Sequence, residues 1–322
     1  MEITTVAVLG GSGFVGRHVC HALAEEGYRV RVATRDRERA KKQLILLPTA
    51  EVAVVDIHVP DQLAEFIGGA EAVVNLVGVL HDGRGERSFQ TAHVNLARNV
   101  VAACRERGVR RLLHMSSLRA DRQAPSAYLR TKGEAEAIVR DSGLGWTLFR
   151  PSVIFGHDDN FLNLFAQVLK LLPVMVLGSP NARFQPVFVA DVAAAFVKGL
   201  EDLGSHGKSY DLCGPRVYTL RELVQYTAAA TGRRRPIVGL NDTLSYIQAL
   251  VMEWMPVKLL TRDNYHSMKL DSVCDCPFPF GITPAALEAV APAWLGPVTP
   301  RTRYQQYRSQ VRRYNDSVIS DR

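Results

Sequence analysis

A tyrosine and a lysine four positions apart carry the clearest chemical signal in the sequence. Tyr128 and Lys132 lie in AYLRTKGEAEAIVRDSG, residues 127–143, where the spacing of apolar residues predicts a helix. Side chains at positions i and i+4 are neighbours on a helix, so the phenol and the ammonium group are expected to lie together. A phenol has a pKa of about 10 in water and needs a nearby cation to transfer a proton near neutral pH. The pair is therefore a candidate for acid–base chemistry.

A glycine-rich segment near the N-terminus predicts a phosphate-binding turn. In VAVLGGSGFVGRHV, residues 6–19, an apolar run is followed by glycines at three-residue spacing and then by helical periodicity. Glycine is needed where a backbone turns sharply, approaches a ligand closely or packs a helix tightly on a strand. The amides at the start of the helix then favour a phosphate. The residues expected to contact a dinucleotide here are Gly10, Ser12, Gly13, Phe14, Val15 and Gly16.

The end of the next predicted strand indicates which dinucleotide fits. A free ribose is usually held by an acidic side chain at this position, whereas a 2′-phosphate favours positive charge. Along YRVRVATRD, residues 28–36, the strand ends at Thr34 and Arg35, and Arg17 is expected nearby. Arginine can fork onto a phosphate, so NADP(H) is favoured over NAD(H). Asp36 is the alternative, because a shift of one residue would place an acid at the ribose.

Strand-like and helix-like segments alternate over the first half of the chain. This alternation predicts an α/β fold, a Rossmann-like doubly wound parallel sheet with right-handed crossovers. Ligands of such sheets bind beyond the carboxyl ends of the strands. The predicted strands are residues 28–35, 50–59, 71–80, 110–117 and 146–156, and helices are predicted at 92–108 and 127–143.

The alternation loosens after residue 156, where prolines interrupt the pattern. The sequence predicts a dinucleotide-binding domain over residues 1–156 and a smaller C-terminal α/β region, for substrate or docking, over 157–322. In the second region, LSYIQALVMEWMP at 244–256 predicts a helix whose methionines and aromatic residues are expected in the core. Asp191, in VFVADVAAAF, is expected to be the N-terminal cap of a helix.

Composition and charge limit the classes of partner. The chain has 322 residues, 47% of them hydrophobic and 22% charged, as in ordinary globular proteins. Its net charge of +7 is concentrated at residues 105–111, 232–236 and 301–314. No recognisable nucleic-acid-binding module accompanies these clusters, which argues against DNA or RNA. An anionic membrane surface or a membrane-associated partner subunit is the expected partner besides the dinucleotide.

Cysteines and the N-terminus predict an intracellular location and no metal. The five cysteines are an odd, scattered set, which favours a reducing compartment. Cys274 and Cys276, near His266, have the wrong spacing for a zinc site. A strand begins within five positions of the N-terminus, which leaves no room for a secretory signal. The expected location is cytoplasmic.

Several motifs follow one another in a single order along this alternating pattern. They are GGSGFVG, Asp56 with Ile57 at the end of the third strand, NLVG at 75–78, HMSS at 114–117, and the Tyr128/Lys132 pair. This set resembles the short-chain dehydrogenase/reductase superfamily, in the extended or atypical branch, over residues 4–230. The resemblance implies that Tyr128 is the acid/base, and that Lys132 lowers its pKa and holds the nicotinamide ribose.

The resemblance also assigns the residues around the pair. Leu118 stands where epimerase-like enzymes carry the hydroxyl that orients the substrate, so either Ser117 substitutes for it or the chemical site is incomplete. Loss of one such donor typically lowers the rate by about 10²–10³. Expected cofactor contacts are Asp56 and Ile57 at the adenine, Val77 and Gly78 at the adenosine ribose and pyrophosphate, and Arg150, Pro151 and Val153 at the nicotinamide.

Four further phrases narrow the resemblance within that branch. HMSSLRAD, SAYLRTKGEAE, FRPSVIFG and RFQPVFVADVAAA are similar to the nucleotide-binding accessory subunit of respiratory complex I and its bacterial relatives. The resemblance implies a tightly held NADPH and a position on the inner face of the cytoplasmic membrane. Some relatives are linked to quinone metabolism, so the alternative is an active NADP-dependent reductase or epimerase on a small or quinone-related substrate.

Overall fold

A parallel sheet of seven strands forms the centre of the protein. In a computed structural model of the chain, residues 3–38, 40, 47, 50–254 and 260–296 are described. The seven strands are β1 (Thr5–Leu9), β2 (Arg29–Thr34), β3 (Ala50–Val54), β4 (Ala72–Asn75), β5 (Arg111–Met115), β6 (Gly145–Pro151) and β11 (Lys208–Leu212). Their order across the sheet is β11-β6-β5-β4-β1-β2-β3. The order reverses between β1 and β4, which confirms the doubly wound α/β fold.

Helices cover both faces of this sheet because the central strands are apolar on both sides. The covering helices are α1 (Phe14–Glu25), α2 (Pro60–Ile67), α3 (Leu96–Glu106), α4 (Ala127–Arg140) and α6 (Val189–Glu201). One core lies between the sheet and the pair α1 and α6. The other lies between the sheet and α2, α3 and α4. The sheet therefore fixes the carboxyl ends of β1, β4, β5 and β6 at one edge.

Short elements from residue 154 onward form a smaller region beside that edge. Its strands are β7 (Ile154–Phe155), β8 (Met175–Leu177), β9 (Arg183–Phe184), β10 (Val187–Phe188), β12 (Tyr218–Thr219) and β13 (Ile237–Gly239). Its helices are α5 (Leu162–Leu171), α7 (Leu220–Ala230), α8 (Asp242–Glu253), α9 (Arg262–Ser267), α10 (Leu287–Val290) and α11 (Pro292–Leu295). Since α6 and β11 complete the main layer from beyond residue 156, the division of the chain at that residue stays a prediction.

Two local predictions in the second half are wrong. Asp191 is not a helix cap: α6 begins at Val189, directly after β10, so Asp191 lies in its first turn and accepts a hydrogen bond from the Ala285 amide at 2.7 Å. The helix predicted at 244–256 is not a core helix, because α8 buries only its small residues Ser245 and Ala249. Its large apolar side chains lie at the surface.

The cysteines also differ from the pattern that the sequence suggested. Cys213, after β11, and Cys274 form a disulfide, and nothing in the spacing of two cysteines 61 positions apart indicated it. Over the described ranges, no three His, Cys, Asp or Glu residues lie together in a way that could hold a metal ion. Within the same ranges, no helix combines the length and hydropathy needed to span a membrane. The basic segment 301–314 lies outside the described residues.

Candidate dinucleotide site and the adjoining tyrosine

The glycine turn joins β1 to α1 in a conformation that only glycine allows easily. Gly10 has a φ of +79°, in the region that other residues rarely adopt. The Gly13 amide donates to the Gly10 carbonyl at 3.0 Å and closes the turn. A Cβ on Gly16 would lie 2.1 Å from the Gly10 carbonyl oxygen, so glycine there lets α1 pack on the turn. Gly13 caps α1 without a side-chain acceptor, which leaves the first-turn amides suited to an anion.

The residues expected to hold a 2′-phosphate, Thr34, Arg35 and Arg17, are called the phosphate clamp. The end of β2 brings only part of this clamp together. Thr34 is buried, and its hydroxyl accepts a hydrogen bond from the Asp36 amide at 3.1 Å. Arg35 is exposed and ion-paired with Glu86 in the loop after β4. Arg17 does not join this group, because it forms an ion pair with Asp158 at 2.7 Å. The clamp for a 2′-phosphate is therefore reduced to Thr34 and to Arg35, whose charge Glu86 partly neutralises.

The turn after β4 lies beside the glycine turn, whereas the turn after β3 is separated from it by β2. Asp56 accepts a hydrogen bond from the His58 amide at 2.9 Å, which shapes the entry into α2. The Asn75 side chain accepts from the Val77 amide at 3.1 Å and so fixes the turn that follows β4. A Cβ on Gly10 would lie 3.3 Å from the Val77 nitrogen. The glycine turn and the turn at Val77 are thus in close contact, while Ile57 packs on the core under α2 and α3.

Lys132 extends this surface toward the acid–base pair. A Cβ on Gly78 would lie 3.1 Å from the Lys132 ammonium nitrogen, so glycine keeps that approach open. The ammonium group donates to the Met115 carbonyl at the end of β5, at 3.1 Å. Burial lowers the pKa of Lys132 to about 8, and the Glu136 carboxylate partly offsets that effect. A continuous run of contacts therefore leads from Gly10 through Val77 and Gly78 to Lys132.

Tyr128 lies at the start of α4 against two aromatic rings. Its ring centroid is 5.8 Å from that of Phe89 and 5.6 Å from that of His93. The Asp263 carboxylate, from α9, accepts hydrogen bonds from the Ala127 and Tyr128 amides at 2.6 and 3.2 Å. Burial raises the pKa of Tyr128, the nearby Ser117 hydroxyl lowers it and the Asp263 charge raises it. The resemblance implied a lowered pKa, whereas burial dominates here and the net shift is upward.

The two serines that follow β5 have buried hydroxyl groups. Within the described residues the Ser116 hydroxyl has no hydrogen-bond partner, and the Ser117 hydroxyl lies close enough to Tyr128 to lower its pKa. Leu118 is also buried, and its amide donates to the Pro151 carbonyl at 3.0 Å. Buried polar atoms without partners are rare in folded proteins and indicate a place for a polar ligand. With the open backbone at Gly13 and Gly78, they fit a dinucleotide and a bound oxygen atom.

Arg150 also has a partner within the protein. Its guanidinium binds both oxygens of the Glu136 carboxylate, at 2.7 and 2.5 Å, and Glu136 is buried. A buried carboxylate needs such a cation, so Arg150 has a structural task in joining β6 to α4. Pro151 and Val153 follow at the carboxyl end of β6. Contacts of Arg150, Pro151 and Val153 with a nicotinamide stay predictions.

Two histidines of the site were not identified from the sequence. The Val79 amide donates to His93 Nε2 at 3.3 Å, so the proton of this imidazole lies on Nδ1, 2.9 Å from the Thr131 hydroxyl. His114 Nδ1 lies 3.2 Å from the Asn75 side-chain nitrogen. Burial, with the Lys132 charge, lowers the pKa of His93 to about 2 and that of His114 to about 3. The available signal for His114 was the polar residue near the end of each apolar strand, Asn75 in β4 and His114 in β5, whereas His93 lies in the helical segment Gln90–Asn95 and no local pattern singled it out.

These histidines predict a specific loss of stability in acid. Their folded pKa values lie below the unfolded value of about 6.5, so the unfolded chain binds more protons and stability falls as pH drops below 6.5. Each histidine contributes a slope of about 1.4 kcal/mol per pH unit. We expect His93→Gln and His114→Gln each to reduce the slope of unfolding free energy by about that amount between pH 6 and 4.5. Urea unfolding at several pH values measures it, and unchanged slopes would contradict the assignment.

Comparisons with known proteins show which family the chain resembles. The chain is 34% identical over 226 residues to NADH dehydrogenase [ubiquinone] 1 alpha subcomplex subunit 9, mitochondrial, of Arabidopsis thaliana; the match covers 68% of the chain but only 56% of that protein. It is 30% identical over 258 residues to the ceramide reductase of Caulobacter vibrioides, covering 77% and 78% of the two chains.

A solved structure and a family model extend the comparison. The NADPH-dependent quinone oxidoreductase QOR2 of Escherichia coli, complexed with NADPH, has a TM-score of 0.67 and 22% identity over 82% of this chain and 89% of its own, which shows a shared fold. The model of the NAD dependent epimerase/dehydratase family matches residues 6–213, a range that includes the glycine turn, Tyr128 and Lys132. The chain therefore belongs to the NAD dependent epimerase/dehydratase family, within the extended short-chain dehydrogenase/reductase superfamily that its motifs resemble.

Proposed function

We propose that the protein holds NADP(H) as a tightly bound structural cofactor and acts as an accessory or assembly protein for a complex I-type respiratory enzyme. The contrast between the two halves of the site carries this proposal. The contacts from Gly10 through Val77 and Gly78 to Lys132 support nucleotide binding, whereas the apolar Leu118 stands where epimerase-like enzymes carry the hydroxyl that orients the substrate. A ligand present at a thousand times its dissociation constant adds about 4 kcal/mol to stability, so a cofactor that does not turn over still has a physical role.

The name of one relative supports the partner in this proposal. The Arabidopsis protein is named as a subunit of NADH dehydrogenase [ubiquinone], and it matches this chain over 226 residues. By analogy, the partner is a membrane-associated subunit, and the protein is peripheral on the inner, cytoplasmic face of the membrane. The match covers 56% of that relative, so the analogy concerns the nucleotide-binding part.

A second function has its own support in the site. Ser117 is close enough to Tyr128 to act on its pKa, Lys132 follows one turn later on the same helix, and another relative is named a ceramide reductase. In an active enzyme the nicotinamide would supply the hydride. Tyr128 would donate its proton to the substrate oxygen, Ser117 would hold that oxygen, and Lys132 would anchor the ribose. The phenol separates the two functions, because Tyr128→Phe inactivates a reductase and leaves an accessory protein intact.

Cofactor preference is tested at Arg35 and its partner. We expect Arg35→Glu to weaken NADPH binding by about ten- to a hundredfold, as for a lost charge-assisted hydrogen bond, and to leave NADH binding nearly unchanged. Glu86→Gln removes the carboxylate that competes for Arg35, so it should strengthen NADPH binding alone. Calorimetric titration of both variants with both nucleotides measures this. Equal losses for NADPH and NADH in Arg35→Glu would remove Arg35 from the clamp.

A further inference from the structure

Helix α8 turns its large apolar side chains away from the protein. Its small side packs against the segment around β8, where the Ser245 hydroxyl accepts from the Ser179 amide at 3.0 Å and Gln248 donates to the Val176 carbonyl at 2.9 Å. Positions 244, 247 and 251, with position 254 directly after the helix, form one stripe on the side of α8 that faces away from β8. The exposed residues are Leu244, Tyr246, Ile247, Leu250, Val251 and Trp254, the last of them 87% exposed.

The two strands next to α8 add exposed apolar residues to this surface. Val176 on β8 and Val238 on β13 are register partners, and both are exposed. The residues that lead from α5 into β8 are exposed as well. We define the apolar face as Leu171, Leu172, Val174, Val176, Val238, Leu244, Ile247, Leu250, Val251 and Trp254. An exposed apolar set of this size, linked through the contacts of α8 with β8 and of β8 with β13, is typical of an interaction surface.

Positive side chains flank the apolar face, and α8 adds two carboxylates. Lys170 is exposed directly before Leu171, and Arg234 and Arg235 are exposed just before β13. Glu253 is paired with Arg262 at 2.7 Å, whereas Asp242, at the start of α8, accepts a hydrogen bond from the neutral Tyr265 hydroxyl at 2.7 Å and keeps its charge. Apolar side chains flanked by lysine and arginine are typical of helices that lie in the interface of an anionic bilayer.

We propose that the apolar face is the surface by which the protein lies on an anionic phospholipid bilayer. Trp254 and the α8 stripe enter the boundary between headgroups and acyl chains, and Lys170, Arg234 and Arg235 contact the lipid phosphates. The inference rests on the peripheral location proposed above and adds the surface that produces it. The face is also close to the candidate site, since Tyr246 on α8 packs on Tyr265 of α9, at 5.4 Å between ring centroids, and Asp263 of α9 bonds to the start of α4.

Sedimentation with lipid vesicles tests this surface in the full-length protein. We expect the wild type to bind vesicles of phosphatidylglycerol and phosphatidylcholine, and less of it to bind phosphatidylcholine alone. Val251→Glu with Trp254→Glu should abolish binding, and Arg234→Gln with Arg235→Gln should lower the partition coefficient roughly thirtyfold at low salt. Leu203→Glu is the matched control, because Leu203 is 78% exposed but lies outside the apolar face, after α6.

Four results would overturn the proposal. The first is a wild type that does not sediment with anionic vesicles, and the second is an equal loss of vesicle binding in Leu203→Glu. The third is unchanged vesicle binding in both surface variants. The fourth is a wild-type dimer that binds no vesicles and becomes monomeric in Val251→Glu/Trp254→Glu. The third result would assign vesicle binding to segment 301–314, and the fourth would make the apolar face a contact with a second copy of the chain.

Nucleotide content is measured in the same samples. A wild type without bound nucleotide counts against the proposed function, and lost vesicle binding with nucleotide retained counts only against the surface.

Discussion

Replacing Gly13 with valine is expected to abolish the binding of NADPH and NADH alike while the chain stays folded. A Cβ on Gly13 would lie 3.1 Å from the Gly10 carbonyl oxygen, so the turn has to shift by a few tenths of an ångström, far less than at Gly16. The branched side chain would stand where the pyrophosphate approaches the backbone. Calorimetric titration measures the loss, and thermal unfolding without nucleotide shows that the fold is retained.

Two other glycine substitutions make this result interpretable. Gly13→Ala adds only the Cβ and should give an intermediate affinity. In contrast, a Cβ on Gly16 would lie 2.1 Å from the Gly10 carbonyl oxygen, so Gly16→Val should lower the stability of the protein itself. If Gly13→Val keeps wild-type affinity for either nucleotide, the turn does not face a phosphate.

Removing the Lys132 ammonium group is expected to shorten nucleotide retention without destroying the site. Lys132→Met keeps most of the side-chain volume and deletes the charge that lies beside Gly78. Loss of a hydrogen bond from a charged group costs about 1.5–3 kcal/mol, which corresponds to roughly ten- to 150-fold in affinity. The dissociation rate of bound NADPH measures it, and Lys132→Ala shows the added effect of lost packing.

Tyr128→Phe is the control for the Lys132 variants. It removes one hydroxyl from the same helix, and we expect it to retain nucleotide as the wild type does. If Tyr128→Phe releases NADPH faster than Lys132→Met, the phenol and not the ammonium group anchors the cofactor. Wild-type retention in Lys132→Met would equally contradict the role given to Lys132.

Local sequence patterns predicted the sheet and the glycine turn because those features are encoded by neighbouring residues, while the contacts with a cofactor stay predictions. Apolar runs such as those of β1 and β4 predict strands that are buried on both faces of the sheet. The glycines at 10, 13 and 16 predict the tight turn between β1 and α1. The same patterns failed for α8. Its apolar periodicity indicates a helix correctly but does not show which side of it other elements cover.

The groups that adjust the chemistry come from distant parts of the chain. Asp263 reaches the Tyr128 amide from 135 residues away, and Glu86 binds Arg35 from 51 residues away. No local spacing relates such residues, so the raised pKa of Tyr128 and the partly neutralised clamp appeared only in the folded chain. The Cys213–Cys274 disulfide is of the same kind.

The most direct test of the structural-cofactor role is complementation of a strain deleted for this gene with Tyr128→Phe. The assembled respiratory complex, the quinone content of the cells and the NADP(H) bound to the purified protein are measured in parallel. The proposed function predicts that Tyr128→Phe restores all three to wild-type levels, whereas Gly13→Val restores none. Loss of complex assembly or quinone in Tyr128→Phe, with nucleotide still bound, would contradict it and establish proton transfer by Tyr128 as the function of the site.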